Sequence, residues 1–206
     1  MIDEFTQLSD LQLDALREIG NIGAGNAATS LSMMINRRIE MSVPQLTVLP
    51  FSELPYAIGG PETLVVGVYL QVQGMSPCGI LFLLPLESSL KLAEMLLAKP
   101  SGSLKVMGEM EHSALMELGN ILAGSFLNAL AMFTDLELFP SVPSLATDMS
   151  GAILSAVVFS LGEVADHALL IETKFTEDNQ QVVGHFLLIP EPGSLDVILE
   201  RLGVNS

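Results

Sequence analysis

Shifted by 99 residues, one part of this chain lies over another without a gap. Asp14 to Pro44 falls on Ser113 to Pro143, and thirteen of these 31 positions are identical. Among them are Leu16/Leu115, Glu18/Glu117, Gly20/Gly119, Asn21/Asn120, Gly25/Gly124 and Pro44/Pro143. Farther on, the match continues at a shift of 105, where Gly79, Pro85, Ser89 and Leu90 meet Gly184, Pro190, Ser194 and Leu195. Self-similarity at a fixed period is the mark of a repeated structural unit. Each copy, approximately 1–100 and 101–206, is small for a core of its own. The segment between them, Lys99-Pro100-Ser101-Gly102-Ser103, is too short for a flexible tether. The repeat therefore predicts one domain over residues 1–206, with both copies sharing a sheet.

Each copy reads helix, strands, helix. Ser9 and Gln12 form a predicted capping box ahead of Leu13, Leu16, Ile19 and Ile22 at helical spacing. Gly20, Gly23 and Gly25 are predicted to break or kink this helix, which resumes over Ala27–Asn36. Strands are predicted at Ile39–Leu49, with Pro44 at an edge or bulge, and at Leu64–Val72 and Gly79–Pro85. A helix follows at Glu87–Ala98. In the second copy a helix is predicted at Glu111–Thr134. Strands follow at Leu136–Thr147, Ala152–Leu161, Ala168–Phe175 and Val182–Ile189, with a polar hairpin over 176–181 and a last helix at Gly193–Leu202. The fold class is α/β (α+β): a pseudo-twofold tandem repeat around one mainly antiparallel sheet of six or more strands, with two pairs of helices.

Composition excludes whole classes of function. Eight Lys+Arg against 24 Asp+Glu leave a net charge of -16, which opposes binding to nucleic acid or anionic lipid. Half the residues are apolar and the mean hydropathy is +0.52, so a membrane span must be considered. The longest uncharged run, Thr63 to Leu86, holds Gln71, Gln73, Gly74, Pro77 and Gly79 in its middle. It reads as two buried strands around a turn. The start, Met1-Ile2-Asp3-Glu4, has no signal-peptide pattern. With a single cysteine, Cys78, the chain is expected in the reducing cytoplasm, the thiol acting as a small buried hydrophobe.

The repeat also preserves a polar set: Asp14, Glu18 and Asn21 in one copy, Ser113, Glu117 and Asn120 in the other. The spacing i, i+4, i+7 places each set on one helix face. A plain solvated face is the competing reading, and a turn or cap role for the Asn residues is another. Yet Asn is a poor helix former, and here it recurs. No nucleophile–base pair accompanies it, since His112, His167 and His185 do not match between copies. Zinc ligand clusters are absent and the acidic residues are too few for calcium. Gly20-x-x-Gly23-x-Gly25 is neither a dinucleotide nor a Walker pattern, and its small residues are expected to let two helices approach closely. A carboxamide can orient a water for in-line attack on a phosphoryl group, as a glutamine does in GTPases. Lacking a metal and a phosphate cradle, such a site works on a substrate protein that brings both.

Asp14-x3-Glu18-x2-Asn21-x22-Pro44 and Ser113-x3-Glu117-x2-Asn120-x22-Pro143 resemble the [Asp/Ser]-x3-Glu-x2-Asn-x22-Pro signature of the CheC/CheX/FliY phosphatases. The resemblance implies a phosphatase of the phosphorylated chemotaxis response regulator CheY. By it, Glu18 and Glu117 contact the regulator's active-site lysine, and Asn21 and Asn120 enter its active site to position the hydrolytic water. Mg2+ belongs to the regulator, and the chain has no cofactor of its own. Asp14 and Ser113 support the motif, while Pro44 and Pro143 are structural. The receptor deamidase CheD is an implied partner and the flagellar motor switch a further one. A flagellar-switch scaffold such as FliM, a non-catalytic binding module, is the alternative; it shares the fold but lacks the Glu/Asn pair. FliY proteins carry an extra C-terminal motor domain, whereas this chain ends at Ser206. Sequestration of CheD is a third reading. The duplication already supplies an internal pseudo-dimer, so a monomer is expected.

Overall fold

A computed structural model describes residues 8–162 and 166–204; Met1–Glu4, read above for a signal pattern, lie outside them. The first helix, α1 (Asp10–Ile35), begins with the predicted capping box. The Ser9 hydroxyl accepts from Gln12 N–H at 3.3 Å, and Ser9 N–H donates to Gln12 Oε1 at 2.8 Å. Asn36 closes it in the left-handed conformation, φ 52°. Its copy, α4 (Glu109–Thr134), is also 26 residues long and ends on Asp135 at φ 53°. The predicted break at Gly20–Gly25 does not occur. Each interior glycine costs the helix roughly 1 kcal/mol, but Leu16, Ile19, Ala24, Ala27 and Leu31 are all buried along one side, and that burial carries the helix through.

Seven strands form a single sheet: β1 (Glu40–Pro50), β2 (Leu64–Gly74), β3 (Cys78–Pro85), β4 (Leu138–Pro140), β5 (Ser144–Met149), β6 (His167–Glu177) and β7 (Gln180–Pro190). Every pairing is antiparallel, in the order β1-β6-β7-β3-β2-β4, with β5 beside β4 on the same edge of β2. The edges are exchanged: β1 of the first copy pairs with β6 of the second, and β4 and β5 of the second pair with β2 of the first. The uncharged run that raised a membrane question is the β2–β3 hairpin.

Pro44 sits where it was expected, at both an edge and a bulge. Between Ser42 and Gln45 the register slips, so that Val43 and Pro44 together face Thr173. The equivalent interruption in the second copy is larger. Ser141, Val142 and Pro143 face only Leu70 and Gln71, and the predicted strand Leu136–Thr147 is divided there into β4 and β5. The gap is bonded across: Ser141 N–H donates to the Gln71 carbonyl at 2.7 Å and the Ser141 hydroxyl accepts from Gln71 N–H at 3.0 Å.

One sheet face carries α1, α4, α3 (Leu86–Leu96) and α6 (Ser194–Arg201); Val66, Val68, Ile80, Phe82, Ile171 and Phe186 point into this layer. The other face is covered by α2 (Leu54–Ala57) and α5 (Ser150–Leu161) over Val65, Leu81, Leu83 and Leu187. The α5 segment corrects the strand predicted at Ala152–Leu161. Its Ile and Val residues favour strands locally, but Ile153, Leu154 and Val157 lie one turn apart and bury together against the sheet. The Ser150 hydroxyl, donating to the Gly60 carbonyl at 2.7 Å, pins the start. Among the described helices α4 alone is long and apolar enough to cross a membrane; half of that window is buried within the protein, against α1, α3 and β2.

The crossing from the first copy to the second is fastened by Glu94, only 2% exposed. Its carboxylate accepts from Leu104 N–H at 2.7 Å and Gly102 N–H at 2.8 Å. Burial pushes this carboxyl up, but the backbone N–H groups outweigh it and hold the group below its ordinary value. Replacing it with the neutral isostere, Glu94→Gln, should lower the unfolding free energy by about 1–3 kcal/mol at neutral pH. The carboxylate's contribution is complete above the unfolded carboxyl value of about 4.3 and is lost as pH falls through the lowered folded value. Denaturant melts should therefore show the gap between native protein and variant closing on acidification.

Candidate functional site

Asp14, Glu18 and Asn21 are all exposed along α1, and Ser113, Glu117 and Asn120 are all exposed along α4. The residues between them turn the other way: Leu16, Ile19 and Gly20, like Leu115, Leu118 and Gly119, are buried. The polar stripe is thus the solvent side of an otherwise embedded helix, twice. Among the described residues, the side chains of Glu18, Asn21, Glu117 and Asn120 make no hydrogen bond or ion pair. Asp14 pairs with Arg17 at 3.0 Å on half-exposed side chains, a surface contact of small energetic weight. Met116 stands at the position of Arg17 in the second copy, so the two stripes differ in charge beside their Glu.

The helices are set by close packing on each other and on the sheet. A Cβ added at Gly23 would stand 3.1 Å from Phe126 Cα, so this glycine brings the α1 backbone onto α4. Gly20 and Gly119, each immediately before a motif Asn, face the sheet. A Cβ at Gly119 would stand 2.5 Å from Val68 Cγ1, whereas one at Gly20 would meet only Val43 Cγ1 at 3.9 Å. Val43 is delivered to that place by the bulge at Pro44, which itself stays exposed. Pro143, half-buried, sits at the matching interruption between β4 and β5. The signature prolines therefore shape the edge strands and do not join the Glu/Asn stripes. The expectation that small residues let helices approach holds for Gly23 but not for Gly25 and Gly124, whose Cβ positions meet nothing within 4 Å.

The cavity between α1, α4 and the sheet, lined by Gly20, Gly23, Val43 and Phe126, measures about 30 Å³ and is apolar, too small for a metabolite; an open groove at the C-terminal end of α1, lined by Ala28, Ser32, Asn36 and Arg38, is larger but is not lined by Asp14, Glu18 or Asn21. Among the described residues no group of three or more metal-ligating side chains occurs. Cys78 is buried, its thiol pushed up to about 12 by that burial and by nearby Glu191, so it is no nucleophile. His185 lies beside Glu172, its cross-strand neighbour, on the sheet face away from α1 and α4, where burial lowers its pKa against the opposing pull of Glu172. A feature that sequence reasoning missed extends the stripe: Leu11 and Met110, one turn ahead of Asp14 and Ser113, are 65% and 64% exposed. Their matching positions at the 99-residue shift were the available signal.

The family model described as CheC-like family matches residues 11–48 and 110–146. These segments contain both stripes and both signature prolines. Over 205 residues the chain is 36% identical to the CheY-P phosphatase CheC of Bacillus subtilis, covering 98% of each. Among solved structures it is similar to Thermotoga maritima FliY, with a TM-score of 0.76 at 18% identity over 95% of this chain and 98% of that one. It is also similar to a chain of the CheX–CheY–BeF3–Mg2+ complex from Borrelia burgdorferi, with a TM-score of 0.50 at 19% identity over 82% of this chain and 96% of that one.

The opposite contacts of Gly20 and Gly119 give a direct check on the two helix seats. Gly119→Ala should destabilise the fold by about 1–3 kcal/mol through overpacking on Val68. Gly20→Ala should be neutral or stabilising by up to about 1 kcal/mol. Equilibrium unfolding of the two single variants measures both.

Proposed function

Because the chain belongs to the CheC-like family, we propose that it is a phosphatase of a phosphorylated CheY-type response regulator. The observation that carries this reading is the solvent-facing Glu/Asn pair, present on two helices and without an internal partner on either. A helix surface of this kind enters another protein's cleft; it does not enclose a small substrate. Asn21 or Asn120 reaches the aspartyl phosphate and holds a water in line with the scissile bond. The water oxygen attacks phosphorus, the bond to the aspartyl oxygen breaks, and the aspartate carboxylate and inorganic phosphate leave. Glu18 or Glu117 pairs with the regulator's active-site lysine and fixes the approach. Asp14 and Ser113 support these positions one turn earlier. Mg2+ comes with the regulator; the presence of Mg2+ and BeF3 in the CheX–CheY complex supports this. The chain works in the cytoplasm where the regulator works, as a monomer and as one domain of two repeats. The exchange of edge strands across the repeat boundary favours that single unit.

The decay of the phosphorylated regulator, followed with and without the protein, tests this. Native protein should accelerate it, and the double change Asn21→Ala with Asn120→Ala should remove most of the acceleration, on the order of 10²-fold. Acceleration that survives both changes would overturn the mechanism, and a native protein with no effect would favour a non-catalytic switch scaffold.

CheD belongs to the same reading as a second partner. An exposed apolar residue away from the stripes supports a second partner: on the far side of the sheet, Phe159 of α5 is 89% exposed beside half-buried Val158. Saturating CheD should change the phosphatase rate if the two activities are coupled, and an unchanged rate in a titration would separate them.

A further inference from the structure

We infer that Gly25 and Gly124 are clearance positions for the docking partner, holding open the space that lets the regulator's backbone close over the adjacent Asn. This rests on the reading of the two stripes as the phosphatase surface and adds a residue to each.

Gly25 lies four residues after Asn21, and Gly124 four after Asn120. That spacing puts each glycine on the same helix face as its Asn, one turn farther along. Both are interior positions of 26-residue helices. A glycine there costs roughly 0.5–1 kcal/mol against alanine, so a chain that keeps it twice should have a use for it.

The protein's own fold gives it none. Neither residue has a positive φ, so the backbone makes no demand for glycine. Neither caps a helix, since Asn36 and Asp135 do that. Neither makes room for internal packing, because an added Cβ would meet nothing within 4 Å at either place. The contrast is with Gly23 and Gly119, where the same Cβ would stand 3.1 Å from Phe126 Cα and 2.5 Å from Val68 Cγ1. The hydroxyl of Thr29 donates to the Gly25 carbonyl at 3.0 Å, but any residue supplies that carbonyl. Two glycines at equivalent places, both unused internally and both beside an exposed Asn with no partner, are accounted for by something that arrives from outside.

Clearance has a particular geometry here. To position a water on an aspartyl phosphate, a short Asn side chain must pass deep into the regulator's cleft. The helix carrying it must then come within backbone distance of the cleft's rim. A bare backbone one turn beyond the Asn permits that approach; a side chain there props the two proteins apart. Positioning is unforgiving at this scale, since a displacement of about 1 Å can cost on the order of 10²-fold in rate.

The inference separates stability from function in opposite directions. The double variant Gly25→Ala with Gly124→Ala should melt a few degrees higher than the native protein, because helix propensity improves and nothing is crowded. Its affinity for CheY carrying beryllofluoride and Mg2+ should fall at least tenfold, and its phosphatase activity with it, chiefly in KM. Leucine at both positions should deepen the loss without lowering the melting temperature. In whichever single-Asn variant retains activity, only the glycine of the intact copy should matter. Unchanged affinity and activity in the alanine double variant would overturn the inference. So would a fall in melting temperature, which would mean that the glycines serve internal packing. The reading of the Asn residues fails separately, when Asn21→Ala with Asn120→Ala keeps full activity.

Discussion

The exchange of edge strands between the two copies is what the rest of the structure hangs on. β1 completes the sheet of the second copy at β6, and β4 with β5 completes that of the first at β2. Removing either edge would expose the backbone of a strand whose side chains face two hydrophobic layers, and unpaired edges of that kind are costly and aggregation-prone. The exchange also fixes where the long helices lie. α1 runs directly into β1, and α4 runs into β4 through a single turn, so the position of each helix follows from an edge strand already held by the opposite copy. The bulge at Pro44 and the interruption at Pro143 are the points of adjustment. Each adds one residue to its edge strand, and the first turns Val43 inward beneath Gly20.

From that arrangement comes the character of the candidate site. A sheet packed on both faces leaves beneath the α1 stripe a gap of about 30 Å³. What the fold offers is the outer side of two helices whose inner sides are immobilised. Rigid helical supports place a side chain more precisely than loops do, and Asn21 and Asn120 therefore have fixed starting points despite their exposure. The net charge of -16 keeps a chain with so much apolar surface to bury in solution. Only 16% of the residues are charged, which is why the repeated Glu and Asn stand out.

Much of this was legible in the residues because it was local and repeated. The Ser9–Gln12 box, the β2–β3 hairpin, the edge role of Pro44 and the polar stripes depend on neighbours in sequence, and the second copy checks the first. Elements decided by distant contacts were not legible. The β-branched residues of Ser150–Leu161 favour a strand, and only the buried alignment of Ile153, Leu154 and Val157 against the far sheet face makes a helix of them. Gly20, Gly23 and Gly25 resemble a breaker when α1 is considered alone; with α4 alongside, Gly23 becomes the contact that holds the helix. The exchanged edges could not be read from either copy, because a sequence repeat specifies which strands exist and not which copy they join.

The duplication also explains how the two surfaces can drift apart without losing the fold. Gly119 is locked by Val68 whereas Gly20 meets only Val43, and Leu122 stands where the first copy has Gly23. Immediately before the motif Asn, α4 thus lies closer to the sheet than α1 does. Arg17 beside Asp14 has no counterpart, since Met116 stands in its place. A partner approaching α1 meets a cation next to the Glu/Asn pair, whereas a partner approaching α4 meets a thioether. A lysine in the partner's cleft would be repelled by that cation only at α1, partly offset by Asp14. Identical Glu and Asn residues therefore stand in unlike surroundings, one beside a charge, the other beside an apolar neighbour. Two stripes on one scaffold are therefore not two equal surfaces: the same Glu/Asn spacing is offered to a partner in two electrostatic settings.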